Sequence, residues 1–213
     1  MSEKEITSEW TGRKGRIGGR FLNSALRRLL EILVWGDCRS VLLDEVSGFI
    51  PKGDEIVLDV GAGSGYFSLP IAEKLNAGKV ICLDLSEEML GHLERKAKKE
   101  GLEDRVQILN VEASSSGLED GSVDLAVSGG VFHELSSPET VLTEMARVVK
   151  PGGGVIVADF RDTWLGRRFC APHGEDAHGP FSVNELEALF ARDGLSGVKV
   201  SPVRHWVIGV GKK

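Results

Sequence analysis

The segment Gly61-Ala62-Gly63-Ser64-Gly65 has the residue types of a ligand-binding loop, because it joins an apolar run to a helical pattern. The apolar run Ile56-Val57-Leu58-Asp59-Val60 is typical of a buried strand, and a helix is predicted to begin near Tyr66. Glycine permits a tight turn and lets a ligand approach the backbone closely. The N-terminus of the helix offers free N–H groups to a carboxylate or a phosphate.

The residues after the loop distinguish among nucleotide-like ligands. A dinucleotide site needs glycine or alanine three positions after its second glycine, so that the helix can pack closely on the strand. Counted from Gly63, that position is Tyr66, a bulky aromatic residue. The phosphate-binding loop that ends in Gly-Lys-Ser/Thr is also absent from the sequence. Both observations count against a diphosphate ligand, and a nicotinamide-dependent oxidoreductase is therefore a disfavoured alternative.

An acidic residue, Asp84, ends the second predicted strand, 19 residues after Gly65 (84 − 65). A carboxylate at this point of a doubly wound sheet can accept hydrogen bonds from both hydroxyls of a ribose. The structural alternative is that Asp84 caps the next helix, but Ser86 already suits that position. The spacing therefore predicts a ribose-binding carboxylate.

His133 is the candidate general base, since it follows the fourth predicted strand in the region that should face the substrate. Imidazole titrates near neutral pH, which suits reversible removal of a proton. A histidine here could equally shape the pocket or touch the cofactor, and the sequence leaves both roles open.

A second group of residues, Cys170, His173 and His178 with Glu175 and Asp176 nearby, resembles an incomplete zinc pattern. A polar loop that covers the substrate explains the same residues equally well. We therefore predict no metal site.

The elements that must position these residues alternate between strand and helix. Strands are predicted over residues 55–60, 79–83, 106–111, 123–128, 154–159, 198–201 and 206–210, and helices over 23–34, 41–49, 66–75, 86–100, 138–149 and 182–193. Alternation of this kind predicts a parallel sheet with right-handed crossovers and helices on both faces. The last two strands are joined by too few residues for a crossover helix, so they should be antiparallel.

The chain is predicted to be one globular unit with an N-terminal extension. Residues 1–50 should form a flexible segment and a helical cover beside the ligand site, and residues 51–213 the main α/β domain. The glycine-rich stretch 11–20 carries basic side chains, among them Arg13, Arg16 and Arg20, which could meet an anionic substrate. A mobile basic tail is the simpler interpretation.

Bulk composition excludes several classes of protein. The 213 residues carry a formal net charge of −6, which argues against broad nucleic-acid binding. Three widely spaced cysteines predict no disulfide framework and favour a reducing compartment. We find neither a signal-peptide pattern nor an apolar run long enough to cross a bilayer, so a cytoplasmic location is expected. The sequence assigns no oligomeric state.

Six segments in a fixed order resemble the class I S-adenosylmethionine-dependent methyltransferases, especially the small-molecule group that includes the ubiquinone/menaquinone-biosynthesis enzymes. They are Val57-Leu58-Asp59-Val60-Gly61-Ala62-Gly63-Ser64-Gly65, Asp84-Leu85-Ser86, Val111-Glu112-Ala113, Asp120-Gly121-Ser122-Val123-Asp124, Val131-Phe132-His133-Glu134-Leu135 and Glu144-Met145-Ala146-Arg147-Val148-Val149-Lys150-Pro151-Gly152-Gly153. The resemblance runs from about residue 55 to residue 159. It implies a Rossmann-like, mostly parallel sheet of seven strands in the order 3-2-1-4-5-7-6, with the last strand antiparallel.

The same resemblance assigns a bound S-adenosylmethionine to particular residues. Asp59 should orient the glycine loop and approach the ammonium of the cofactor, and Asp84 should hold its ribose. The other cofactor residues fall into groups that line the methionyl part (Gly61, Ala62, Gly63 and Gly65), pack on the adenine (Leu85 and Met89), meet the adenine edge (Glu112 and Ala113) and lie near the transferred methyl group (Ser128 and Gly129). Members of the family usually have aspartate where this chain has Glu112.

The predicted function is methyl transfer to a small molecule by in-line displacement at the sulfonium methyl, with His133 as the candidate for proton removal. The fourth strand ends in Ser128-Gly129-Gly130-Val131, which is not the motif of DNA amino-methyltransferases, and no Pro-Cys pair supplies the nucleophile of cytosine C5 methylation. The sequence does not select oxygen, nitrogen, carbon or sulfur as the acceptor atom. The alternative is a non-catalytic module that binds S-adenosylmethionine.

Overall fold

The computed structural model describes residues 36–173 and 176–213, with the side chain of residue 173 outside the description. The flexible segment, the helix predicted over residues 23–34, and Arg13, Arg16 and Arg20 therefore lie outside the described residues.

Seven strands form one sheet in the order β3-β2-β1-β4-β5-β7-β6, which confirms the predicted topology. The strands are β1 (Ile56–Val60), β2 (Lys79–Leu83), β3 (Val106–Leu109), β4 (Val123–Gly129), β5 (Val149–Phe160), β6 (Ser196–Val203) and β7 (Trp206–Lys212). Strands β1 to β5 are parallel wherever they pair with one another. Strand β7 is antiparallel to both of its neighbours, β5 and β6. The strand order reverses beside β1, so the loops that leave β1 and β4 diverge and open a crevice at the carboxyl edge of the sheet.

The helices flank this sheet. They are α1 (Cys38–Phe49), α2 (Ser68–Lys74), α3 (Glu87–Glu100), α4 (Pro138–Val148), α5 (Trp164–Cys170) and α6 (Val183–Arg192), with 3-10 turns at Glu103–Arg105, Phe132–Glu134 and Ala171–His173. Ser182, the residue before α6, forms a capping box with Glu185. Within the described part of the chain, no helix has the length and apolarity needed to cross a membrane.

The core lies on both faces of the sheet. One cluster packs α1, α2 and α3 on the sheet, and a second cluster packs α4 and α6 on the opposite face. The α1 residues Cys38, Leu42 and Val46 are buried in the first cluster, because they recur every four residues and share one side of the helix. Helix α1 thus contributes to the core of the sheet, while the division at residue 50 stays a prediction.

Several elements differ in their bounds from the sequence prediction, and one helix was not predicted. Helix α2 begins at Ser68, two residues after the predicted start at Tyr66, because a turn precedes it. Strand β5 begins five residues before the predicted start, because Val149 pairs with Val123 ahead of a shift in register. Helix α5 was not predicted, since its few apolar residues show no clear helical period in the sequence.

The final hairpin brings the start of β7 to the carboxyl edge of the parallel strands. Because β7 runs against β5, its first residue Trp206 pairs with Phe160, the last residue of β5. Arg204 adopts a left-handed conformation (φ 54°) in the turn between β6 and β7. Trp206 therefore lies beside the loops that leave the other strands, although it is far from them in sequence.

Candidate active site

A pocket of about 510 Å³ opens at the carboxyl edge, between the loops that follow β1, β2, β4 and β5. Its volume is within the range of about 300–1,000 Å³ that is usual for sites of small molecules. The predicted site residues that line it are Gly61, Ala62, Gly63, Asp84, Leu85, Met89, Ala113, Gly129 and His133. The predicted residues that are not among the lining residues are Asp59, Gly65, Glu112 and Ser128.

The glycine loop is held against the end of β2. The backbone N–H groups of Gly61 and Ala62 both donate to the Leu83 carbonyl, at 2.8 and 2.9 Å. Gly61 has φ +71°, and an added Cβ would lie 2.3 Å from a methyl carbon of Val131, so glycine is required there. Gly65 serves packing instead, since its Cβ would come within 3.0 Å of a leucine of α2.

Asp84 is fixed at the pocket by two backbone N–H groups. Its carboxylate accepts a hydrogen bond from Gly63 N and another from Ser86 N, each at 2.8 Å. Burial raises the pKa of Asp84, and the hydrogen bonds from Ser86 and Gly63 oppose that rise. The Ser86 hydroxyl caps α3 by accepting from Met89 N. Asp84 is thus free of the capping role, and its place in the pocket fits the predicted contact with a ribose.

Asp59 lies beneath the loop and not in the pocket wall. Its side chain accepts a hydrogen bond from the Ser68 hydroxyl, and the residue is 1% exposed. Burial raises the pKa of Asp59 to about 7, with an added rise from the charge of Asp84 and an opposing hydrogen bond from Ser68. This carboxyl therefore connects the end of β1 to the first turn of α2.

The predicted adenine-edge residues lie on the segment between β3 and β4. Ala113 lines the pocket, whereas Glu112 is exposed and is not among the lining residues. The segment is anchored to α4, because Ser116 N and Oγ donate to Glu144 Oε1 at 2.8 and 2.6 Å. Arg147 Nε donates to the other oxygen of Glu144 at 2.7 Å.

Replacing Glu144 by glutamine should lower the free energy of unfolding by about 1–3 kcal/mol near neutral pH, since buried partners lose a charged acceptor. Glu144 is 8% exposed, and its hydrogen bonds with Arg147 and Ser116 lower its pKa from 4.5 to about 2 despite burial. A carboxyl group whose pKa is lower in the folded state stabilises the fold at pH values above its pKa in the unfolded state. This stabilisation is lost as the pH falls through the pKa of the folded state. Urea unfolding from neutral pH downwards should therefore show the two proteins converging below pH 4.5.

The matched control is Glu119→Gln, which removes an exposed carboxylate from the same segment. It should change the free energy of unfolding by no more than about 0.5 kcal/mol. An equal loss in both variants would mean that the anchor at α4 contributes nothing specific.

Gly129, at the end of β4, allows Phe67 to enter the wall of the pocket. A Cβ at Gly129 would lie 2.3 Å from Phe67 Cε2, closer than real Cβ atoms approach. Ser128, the residue before it, is buried and donates to the Val60 carbonyl at 2.9 Å, which ties β4 to β1 below the pocket. The end of β4 is therefore shaped by close packing.

Gly129→Ala should destabilise the protein by about 1–3 kcal/mol through overpacking, and should weaken ligand binding because the Phe67 ring must move. Thermal unfolding and calorimetric titration with S-adenosylhomocysteine would measure the two effects. Gly48→Ala is the control, since nothing lies within 4 Å of its added Cβ. Normal stability and normal binding in Gly129→Ala would contradict the steric role.

His133 is held by Asp159, the penultimate residue of β5. The His133 Nδ1 and Asp159 Oδ1 atoms are 2.8 Å apart, and His133 N donates to Asp159 Oδ2 at 3.1 Å. A carboxylate only accepts hydrogen bonds, so Nδ1 carries the proton and Nε2 of the neutral ring is the basic atom. His133 is 1% exposed, and its Nε2 is 3.7 Å from Glu134 Oε1.

The surroundings of His133 favour its protonated form. Burial lowers its pKa, but the charge and hydrogen bond of Asp159 and the charge of Glu134 outweigh this and raise the pKa above its usual value. The imidazole is thus an oriented base of increased proton affinity in the pocket wall.

Aromatic side chains form the end of the pocket next to His133. The Phe160 ring is central, with ring-centroid distances of 4.8 Å to His133, 4.5 Å to Phe169 and 4.4 Å to Trp206. Arg168 of α5 also lines this end. The pocket therefore has a glycine-loop end and an aromatic end, and His133 lies at the aromatic one.

The sequence interpretation missed most of the aromatic end. The rule that ligands bind beyond the carboxyl ends of strands could have pointed to Asp159 and Phe160, which end β5. Nothing in the sequence pattern distinguishes Arg168, Phe169 or Trp206 from ordinary loop and strand residues.

The alternative metal site gains no support from the residues that can be placed. No group of three histidine, cysteine or acidic side chains within the described ranges could hold a metal ion. Burial raises the pKa of Cys170 to about 12, and the His178 ring stacks on Phe181 with 4.1 Å between centroids. The side chain of His173 and residue Glu175 lie outside the description.

Comparison with known proteins shows which family the sequence resembles. A family described as a methyltransferase domain matches residues 57–153. The demethylmenaquinone methyltransferase of Thermus thermophilus is 31% identical over 52% of this chain and 50% of its own length, so the chain spans about half of that relative. The demethylmenaquinone methyltransferase of Bacillus pumilus is 30% identical over 77% of this chain and 81% of its own length.

A solved structure has a similar fold. The crystal structure of a SAM-dependent methyltransferase from Aquifex aeolicus has a TM-score of 0.67 and 27% sequence identity to the chain. The superposition covers 92% of this chain and 96% of that one.

Proposed function

The chain belongs to the S-adenosylmethionine-dependent methyltransferase family, and we propose that it transfers the methyl group to a small-molecule acceptor at the aromatic end of the pocket. One observation carries the proposal. A single pocket joins the glycine loop and Asp84 at one end to the His133–Asp159 pair at the other.

The glycine-loop end fits the cofactor. The backbone of Gly61 and Gly63 is open to the pocket, and both residues have positive φ, so side chains of other types would strain the loop. Asp84 presents a fixed carboxylate with lone pairs left for two hydroxyl donors. Leu85 and Met89 add apolar surface for a base. S-adenosylmethionine supplies a methyl group on a positively charged sulfur, which is already activated for transfer.

The residues of the chain then have to align the acceptor and keep water out. Holding two reactants in line can contribute about 7–11 kcal/mol to lowering the barrier. Phe160, Phe169 and Trp206 present apolar rings to the acceptor, which displaces water from this end. His133 Nε2 accepts the proton of the attacking group, and Asp159 holds Nδ1–H and stabilises the imidazolium that results.

The names of the relatives suggest the first acceptor to assay. Both relatives described above are demethylmenaquinone methyltransferases, and a ring-bearing acceptor suits a pocket lined by aromatic side chains. Demethylmenaquinol should therefore head a panel that also offers oxygen, nitrogen and sulfur acceptors.

Calorimetric titration with S-adenosylmethionine, S-adenosylhomocysteine and NAD, followed by turnover on this panel, tests the proposal. We expect both sulfur ligands to bind, NAD not to bind, and at least one acceptor to be methylated. Binding of NAD alone would overturn the assignment. Cofactor binding without turnover on any acceptor would favour the non-catalytic module.

A further inference from the structure

The indole of Trp206 presents a buried donor that the fold itself does not use. Trp206 is 3% exposed and lines the aromatic end of the pocket. Its Nε1–H has no hydrogen-bond partner among the residues that the structure describes. Buried donors in folded proteins are nearly always paired, and one left open in a pocket wall points to a ligand oxygen.

The register of the sheet places this donor near the proposed base. Trp206 pairs with Phe160 across β7 and β5, and their ring centroids are 4.4 Å apart at a tilt of 32°. The Phe160 ring also meets the His133 ring edge-on at 4.8 Å. Only the Phe160 ring therefore separates the indole from His133, and a molecule that accepts a hydrogen bond from the indole lies close to this histidine.

Among the described residues, the one lysine or arginine that lines the pocket is Arg168, the neighbour in sequence of Phe169 at the aromatic end, although the chain as a whole is acidic. The Arg39 guanidinium carbon is 4.6 Å from the centroid of Tyr66, another lining residue. Next to Trp206, burial and the charges of Arg204 and Arg161 lower the pKa of His205. The acid that lines this end is Glu134, which faces His133.

The two donors have matching chemistry. An indole N–H and a guanidinium donate hydrogen bonds and accept none, so their complement is a group that only accepts. A carboxylate is such a group, and its negative charge is complementary to the positive charge of Arg168. The aromatic rings at this end of the pocket favour a ligand with a flat hydrocarbon framework, since aromatic groups stack on one another or meet edge-on.

We propose that Trp206 Nε1 and Arg168 bind the carboxylate of an aromatic carboxylic acid, and that the methyl acceptor belongs to this class. The assignment rests on the proposed function, because it names the acceptor of the same site.

The test measures binding of two flat probes, 2-naphthoate and 2-naphthamide, by calorimetry in the presence of saturating S-adenosylhomocysteine. The two probes have the same ring system and a similar shape. Only 2-naphthoate is an anion, and only its polar group accepts hydrogen bonds without donating any. We expect the naphthoate to bind at least about tenfold more tightly, as charged hydrogen bonds allow. Trp206→Phe keeps a ring against Phe160 and removes the N–H, and Arg168→Gln removes the charge. Each should reduce the preference severalfold or more and leave binding of S-adenosylhomocysteine unchanged.

Helix α5 offers matched controls. Trp164 is 75% exposed, and Arg167 is exposed and paired with Asp162, and neither is among the residues that line the pocket. Trp164→Phe and Arg167→Gln should therefore keep the full preference for the naphthoate. If Trp206→Phe fails to fold, Arg168→Gln still tests the proposal.

The outcomes separate the two proposals. Equal affinity for the two probes, no binding of either, or an unchanged preference in Arg168→Gln would overturn the assignment of an aromatic carboxylate. Failure of the unmodified protein to bind S-adenosylhomocysteine would overturn the proposed function itself, and this assignment with it.

Discussion

Replacing His133 by alanine should lower kcat by about 10²- to 10⁴-fold, which is the usual contribution of a positioned general base. The imidazole is buried in the pocket wall, and its Nδ1 is bound to Asp159 at 2.8 Å, so Nε2 has a fixed direction. The affinity for S-adenosylhomocysteine should change little, because the glycine loop and Asp84 lie at the other end of the pocket. Turnover of the acceptor found in the panel measures the first effect, and calorimetry measures the second.

The pH dependence distinguishes a base from a residue that only shapes the pocket. The base must be neutral to accept a proton, so kcat should rise with pH as His133 loses its proton. Because the pKa of His133 is raised, the midpoint of this rising limb should lie above the usual histidine pKa of about 6.5. Asp159→Asn removes the charge that raises this pKa, and the limb should move to lower pH. An NMR titration of the imidazole would follow the same shift without turnover.

His178→Gln is the control for both measurements, since the His178 ring stacks on Phe181 and is not among the lining residues. It should leave kcat and the pH profile unchanged. Near-normal turnover by His133→Ala would show that this histidine is a wall of the pocket and not a base.

Replacing Asp84 by alanine should raise the Kd for S-adenosylhomocysteine by about a hundredfold or more. The carboxylate is the predicted partner of two ribose hydroxyls, and hydrogen bonds to a charged group contribute about 1.5–3 kcal/mol each. It also accepts from Gly63 N, so its loss should loosen the glycine loop. Asp84→Asn keeps the size and one acceptor oxygen, and it should lose affinity to a smaller degree. Calorimetric titration measures each Kd.

Asp104→Asn is the matched control, because Asp104 is an exposed acid in the 3-10 turn that precedes β3. Its affinity for S-adenosylhomocysteine should equal that of the unmodified protein. If Asp84→Ala also bound normally while remaining folded, the ribose contact would have to be reassigned.

The sheet was predictable from local sequence patterns. Apolar runs alternating with helical periods specify parallel strands with crossovers, and the short link before Trp206 specifies an antiparallel end. The end of β3 and the start of β5 were less well predicted. Pairing with neighbouring strands determines those boundaries, as the pairing of Val123 in β4 with Val149 in β5 illustrates.

The candidate site divides in the same way. Gly61, Gly63 and Asp84 directly follow their strands, so knowing the strands places these residues at the carboxyl edge. The roles of Gly65 and Glu112 could not be read from sequence, because which side chain faces a pocket depends on how the loop packs. The structure turns Gly65 toward α2 and α3 and leaves Glu112 exposed.

By itself, the sequence determined that a glycine loop and an acidic residue meet at one edge of a parallel sheet, because parallel strands all end on the same side. Only the tertiary structure decided what faces them. It joins Asp159 to His133 across 26 positions, and it brings Trp206 to the pocket because β7 runs in the opposite direction. These pairings are contacts between distant parts of the chain, so no local pattern encodes them. Against the effect of burial, the contact with Asp159, together with the charge of Glu134, then raises the pKa of the histidine.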